Sequence, residues 1–329
     1  MAVFKLIYSH FKTIFVLIFL LVPIAHAADT LLPTTPPPTP NPNYHLVGWT
    51  NAILPGGGQL LYGNYWQAGF EALYETSSFY LGYRLSNGDV FSLDGFEAPR
   101  PGLRNRKLGV ISMEDQLGGN MIQEFGIKAH MVNVFNNYRD AALKNGAQNS
   151  WIDQTPTVDL FMKPFDKNVI SDNWVWIPIA AVALSSGIDY YLQTKDSIAQ
   201  TNRLTPTSNV MYAFNYSVWQ SFGSGAPEEM FYRGFMQNEF QTMTSSPLAA
   251  IALTTVAFSF SHEPGDGRYT AAIAGSYLGY LAYRNHGNLG PGIAVHFWSE
   301  VILGIENFLL NHKGQTSSPP GGFSVQLPF

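Results

Sequence analysis

Between Trp174 and Leu192 the chain reads WVWIPIAAVALSSGIDYYL, in which Asp189 is the only acidic or basic residue. A surface helix in water needs a polar face, and this run has none. A helix of this length covers about 30 Å, the thickness of bilayer hydrocarbon. Its aromatic ends and central small residues suit a spanning helix packed against others. The rest of the chain agrees: only 12% of the 329 residues are charged, against roughly 25% in a typical soluble protein. Further apolar segments run over Pro247–His262, Tyr269–Arg284 and Leu289–Leu310, and no sustained alternation argues for strands. The expected class is therefore all-α, a polytopic membrane helix bundle. A net charge of −5 gives no basic surface, so nucleic acid is excluded as a partner. With no cysteine, thiol nucleophiles, disulfides and Cys-based zinc sites are also excluded, and any chemistry falls to Glu, Asp, His, Ser or Tyr.

Before the long run, the chain divides by composition. Residues 1–27 carry Lys5 and Lys12, an apolar core from Thr13 to Ile24, and Ala25-His26-Ala27, the pattern of a secretory signal peptide; an uncleaved anchor helix is the alternative. Residues 28–43 are proline-rich and read as an extended linker. Residues 44–205 form an N-terminal membrane and loop region. Within it, Pro55-Gly56-Gly57-Gly58 separates two apolar segments expected as close-packed membrane helices or a re-entrant pair. Glu71 and Glu75, one turn apart, are expected on a solvated or interfacial face. No Lys-Ser/Thr follows the glycine run, so it carries little phosphate-loop signal. Residues 86–122 hold Arg100, Arg104, Arg106 and Lys107 and read as a polar loop outside the membrane. Residues 123–143 read as an amphipathic helix whose His130 is packed or solvated, and Asn145–Asn173 as loop. Residues 312–329 form a flexible tail.

The chemistry-bearing residues lie in the last third. In APEEMFYRGF, residues 226–235, Pro227 suits the first turn of a helix and so places Glu228 and Glu229 just inside its start. Glu229 and Arg233 are four apart and share a face, whereas Glu228 is rotated about 100° away. Arg233 can then hold Glu229, leaving Glu228 to face a cavity and act on a water or a metal. The simpler alternative is that both acids complement the helix dipole. Downstream, FSFSH ends at His262, and HFWSE places His296 and Glu300 one turn apart. Ionisable groups in a bilayer cost about 2.5–3.5 kcal/mol each on insertion, so a set of them in apolar sequence marks a functional site.

The ordered set EEMFYRG, FSFSH and HFWSE, with Gly234 after Arg233 and a Gly290-Pro291 turn before the last segment, resembles the CPBP intramembrane protease family over about residues 206–311. That family includes CAAX prenyl endopeptidases and bacteriocin-processing or immunity proteins. The resemblance implies an all-helical domain, bathed in membrane lipid, that cleaves a protein or peptide substrate near the bilayer; a bacterial inner membrane fits best. Carried over by position, Glu228 and His262 polarise the attacking water, Glu229 and Arg233 fix the geometry, and His296 and Glu300 face the oxyanion. The family has also been described as metal-dependent, and Glu228, His262 and His296 are acceptable ligand types for a divalent metal such as zinc. Metal-activated and glutamate-activated water both remain open. One departure matters: the family usually has Asn, sometimes Asp, where Glu300 stands. An ionised carboxylate cannot donate to an oxyanion. This keeps a non-proteolytic membrane binding or immunity protein as the alternative, with a proton-relaying transporter a distant third. The prenyl label is read as a family name and not as a substrate.

Overall fold

The computed structural model describes residues 43–86, 113–147, 151–194, 214–262 and 264–312. The expected signal peptide, nearly all of the proline-rich linker, the arginine-bearing stretch around 100–107 and the tail after 312 lie outside the described residues. Among the described residues every regular element is helical: α1 Tyr44–Ile53, α2 Gly57–Leu61, α3 Tyr65–Ser86, α4 Met113–Lys144, α5 Thr157–Met162, α6 Lys167–Ile170 and α7 Asn173–Thr194. Next comes α8, one continuous run built from Asn215–Trp219, Gln220–Glu229, Met230–Met236 and Gln237–Thr244. Then follow α9 Pro247–Phe260, α10 Asp266–Arg284 and α11 Gly290–His312. The all-α class is as the apolar periodicity indicated.

The central pillar is α4, against which α1, α3 and α8 all pack. Its buried side chains Met131, Val134, Phe135, Tyr138 and Ala142 recur at three- and four-residue spacing and so form one stripe. That stripe meets Met230 and Phe235 from α8 and Ile293 from α11 in the main core. Each Val, Ile, Phe or Met side chain among these contributes about 1.5–3 kcal/mol through burial. On its other side α4 approaches α3 closely. A Cβ at Gly82 would fall 2.3 Å from the backbone nitrogen of Gln123, so only glycine permits this contact.

Besides the polar loop expected over 86–122, whose last ten residues already belong to α4, three sequence expectations need correction. Glu71 and Glu75 do not line a solvated face: both are buried between α3 and α4. There Glu75 accepts from His130 Nδ1 at 2.7 Å and from Asn133 Nδ2 at 2.6 Å, and Glu71 accepts from Asn137 Nδ2 at 3.3 Å. Acids one turn apart on α3 face His130, Asn133 and Asn137 on α4, so the buried charge is met by hydrogen bonds. Second, 145–173 is not simply loop, since it contains α5, the 3₁₀ turn Lys163–Phe165 and α6. Asp166 starts α6 by accepting from Asn168 N at 3.0 Å, a capping signal that the polar composition hid. Third, Pro227 does not open a helix; it lies inside α8.

Among the described residues two helices are long and apolar enough to cross a membrane: the stretches Asn173–Leu192 and Gly290–Leu310, in α7 and α11, each with mean hydropathy 1.4. They pack on each other. The outer face of α7 exposes Trp176, Ile177, Leu184, Ile188 and Leu192. Among the described residues α3 does not qualify, because Gln67, Glu71, Glu75 and Arg84 interrupt its apolar sequence.

Candidate active site

The site is assembled from α8, α11, the turn after α9, and α4. In α8 the winding widens to π geometry over Asn215–Trp219 and again over Met230–Met236. Pro227, between them, has no N–H to give the helix ladder. Wide turns of this kind are how buried helices absorb such interruptions, and they recur at functional sites. Glu228 and Glu229 therefore sit in mid-helix, at the junction with the second wide segment. Packing on both sides of α8 has overridden the local tendency of proline to begin a helix. Gly234 is fixed by the same packing, since a Cβ there would lie 2.5 Å from the Phe135 ring of α4.

Glu229 is 1% exposed and Arg233 2%. Arg233 Nη1 donates to Glu229 Oε1 at 3.0 Å, and Nη2 donates to the Gly275 carbonyl of α10 at 3.2 Å. The guanidinium also lies over the Phe258 ring, 4.4 Å from its centroid. The same Oε1 accepts from His296 Nδ1 at 2.9 Å. One carboxylate oxygen thus orients a guanidinium and an imidazole together, as its i, i+4 relation to Arg233 indicated. Because Nδ1 of His296 carries the donated proton, Nε2 is the ring's working atom. It stands 3.8 Å from Glu228 Oε2. That oxygen is buried and makes no hydrogen bond among the described residues.

His262 lies just past the end of α9, where its Nδ1 donates to the Phe258 carbonyl at 2.7 Å. Phe258 packs against both imidazoles, with ring centroids 4.5 Å from His262 and 5.9 Å from His296. His262, His296 and Glu228 are within electrostatic reach of one another. Glu300, one turn beyond His296 on α11, is within such reach of His296 and Glu228. The structure thus gathers all six sequence-derived candidates, Glu228, Glu229, Arg233, His262, His296 and Glu300, around one apolar-walled cluster.

Two further residues were missed. Lys128 of α4 donates through Nζ to Glu228 Oε1, so Glu228 is held and not free as its rotation from Glu229 implied. Glu124, one turn earlier on α4, accepts from Gln220 Nε2 at 3.2 Å and lies within electrostatic reach of Lys128, Glu228 and Glu300. A sequence signal existed. Glu124 and Lys128 continue backwards, at four- and three-residue spacing, the stripe of Met131 and Phe135, so both charges sit in line with buried positions.

The side chains as placed do not form a zinc site. Among the described residues no three His, Asp or Glu side chains converge to hold a metal ion. A divalent cation on Glu228 would also meet the ammonium of Lys128, a like charge already seated on Oε1.

An arrangement that is all-helical among the described residues and buries glutamates, a histidine and an arginine between apolar helices belongs, by its architecture, with proteins that keep a polar centre inside a hydrophobic bundle. More narrowly, residues 211–302 match the family model described as Rce1-like, type II CAAX prenyl endopeptidase Rce1-like. This agrees with the resemblance to the CPBP family carried by the three motifs. The matched segment contains all six candidates, whereas Lys128 and Glu124 fall before it. No curated protein and no solved structure matches the chain.

Proposed function

We propose that this chain is an intramembrane endopeptidase that hydrolyses peptide bonds of a protein or peptide substrate with a water activated by Glu228 and the histidines. One observation carries the reading: the shared Glu229 oxygen, bonded to Arg233 and His296, turns His296 Nε2 toward the unbonded Oε2 of Glu228. The family match over 211–302 supports it.

In this mechanism the water binds at Glu228 Oε2 and the imidazoles. Its proton passes to Oε2 as its oxygen attacks the peptide carbonyl carbon, and the C=O electron pair moves onto the carbonyl oxygen. Collapse of that oxyanion breaks the C–N bond, and the proton on Glu228 passes to the leaving amine. His262, held through Nδ1 by the Phe258 carbonyl, presents Nε2 to the same water. Arg233 and Glu229 set the orientation and bond no substrate. The exposed apolar face of α7 and the two spanning-length helices among the described residues support a reaction within a membrane; a bacterial inner membrane and an N-terminal signal peptide are part of the proposal.

A second reading, a membrane binding or immunity protein without proteolysis, is favoured by Lys128 on Glu228, since a paired carboxylate is a weaker base. Cleavage of a peptide library by detergent-purified protein decides between them, run beside Glu228→Ala and His262→Ala, with and without a chelator. Cleavage lost in both variants and kept with chelator is the expected result. A folded wild type that cuts nothing moves the binding reading ahead, and cleavage abolished by the chelator replaces the Glu-activated water with a metal-activated one.

A further inference from the structure

Resting on the endopeptidase reading, we propose that Lys128, from α4 and outside the family-matching segment, is a catalytic residue of this site: it is the cation that receives the oxyanion.

The charge inventory leads there. Glu124, Glu228, Glu229 and Glu300 all border the cluster, so a fourth-helix cation is needed before any further negative charge can develop. Arg233 is committed elsewhere. Its guanidinium bonds Glu229 and the Gly275 carbonyl and lies over Phe258. Glu300 occupies the helical turn after His296 and, ionised, can only accept. The ammonium of Lys128 touches Glu228 itself and is in electrostatic reach of His262 and Glu300. It therefore stands beside the bond-making centre. A carbonyl oxygen polarised next to Glu228 gains its negative charge closest to Lys128. In a water-poor site such a fixed charge acts at high strength and needs no reorganisation during the reaction. The same contact pins Glu228 Oε1, leaving Oε2 to take the proton.

With Lys128 in this role, Glu300 is tolerated. The donor missing at that position is supplied from another helix, and the carboxylate of Glu300 becomes a partner to Lys128 and not an obstacle.

The test uses full-length protein in detergent. Lys128→Met should lower kcat about 100-fold, the scale of losing one oxyanion donor. KM should move by less than about threefold, since the interaction forms in the transition state. Lys128→Arg, which keeps charge and donors, should recover all but about tenfold. Glu300→Gln placed in the Lys128→Met background should restore about tenfold by returning a donor to the cavity. An unchanged kcat in Lys128→Met overturns the proposal, as does loss appearing only in KM.

A second arm does not need turnover. A peptide phosphinate carries the tetrahedral anion, and the matching ketone peptide does not. Its binding should weaken about 100-fold in Lys128→Met, while binding of the ketone stays level. Because Glu228 stripped of its partner can destabilise the fold, the comparison is repeated as Lys128→Met/Glu228→Gln against Glu228→Gln, where no buried charge is left alone. A wild type that cuts nothing, yet binds the phosphinate through Lys128, sinks the protease reading and keeps Lys128 as an anion-binding cation. Phosphinate binding that ignores Lys128, or is absent, sinks the assignment of Lys128.

Discussion

Glu229 Oε1 holds two groups at once, Arg233 Nη1 at 3.0 Å and His296 Nδ1 at 2.9 Å, in a place where water does not reach. Replacing Glu229 by Gln removes the countercharge and leaves a buried guanidinium uncompensated, which costs about 3–5 kcal/mol. Thermal unfolding in detergent should show this as a clear fall in midpoint, with cleavage lost as His296 turns away; a shift too small to resolve would mean that the Gly275 carbonyl and the Phe258 ring suffice to hold Arg233. Gly234→Ala is a separate case, because the added methyl meets the Phe135 ring and costs about 1–3 kcal/mol as overpacking. Phe135→Leu should return part of that loss, measured by the same unfolding experiment. Of these relations, the Glu229–Arg233 pair was legible because residues four apart on a helix are neighbours. The Lys128–Glu228 pair was not, since its members are 100 residues apart and no local spacing encodes the meeting.

At the scale of elements, the apolar runs located α7, α9, α10 and α11 well, because each buries or presents one continuous apolar stretch. The same local logic failed at Pro227, where packing from α4 and α11 keeps α8 going through a residue that would otherwise begin a helix. It failed again at Glu71 and Glu75, whose partners on α4 lie outside any local window. Another buried acid, Glu239 near the end of α8, had no sequence signal at all. It accepts from His45 Nδ1 at 2.6 Å and Trp49 Nε1 at 2.9 Å, and so fastens α1 to α8. Glu239→Leu leaves both donors, and the Tyr138 hydroxyl of α4 that also bonds Glu239, unmatched, at about 1–3 kcal/mol each. Hydrogen exchange should then speed up across Tyr44–Ile53 while α11 keeps its protection. Uniform acceleration over both helices would show that Glu239 supports the whole fold and not the α1 contact.

For the molecule as a whole, the surface decides the solvent. Water disfavours a helix whose outer face shows Trp176, Ile177, Leu184, Ile188 and Leu192 together, whereas lipid accepts it. The charge deficit made this legible from composition, but the count of spanning helices was not, because burial inside a bundle and exposure to lipid leave the same apolar sequence. Only the α7 and α11 stretches, Asn173–Leu192 and Gly290–Leu310, meet the length and hydropathy of a span among the described residues. Their pairing brings Ser186 of α7 onto Glu306 of α11, so a carboxyl in the apolar layer is met by a hydroxyl and not by lipid. The decisive site is Leu184, which is 67% exposed near the middle of α7. Arginine there would place a charge at the depth where insertion scales assign about 2.5–3.5 kcal/mol. Insertion in a membrane translation assay, read by glycosylation acceptors on either side of α7, should fall sharply for Leu184→Arg. The same substitution at Asn173, at the helix end, lets the side chain reach the interface and should be nearly silent. If the two behave alike, α7 does not cross the bilayer, and its apolar face must be covered by protein instead.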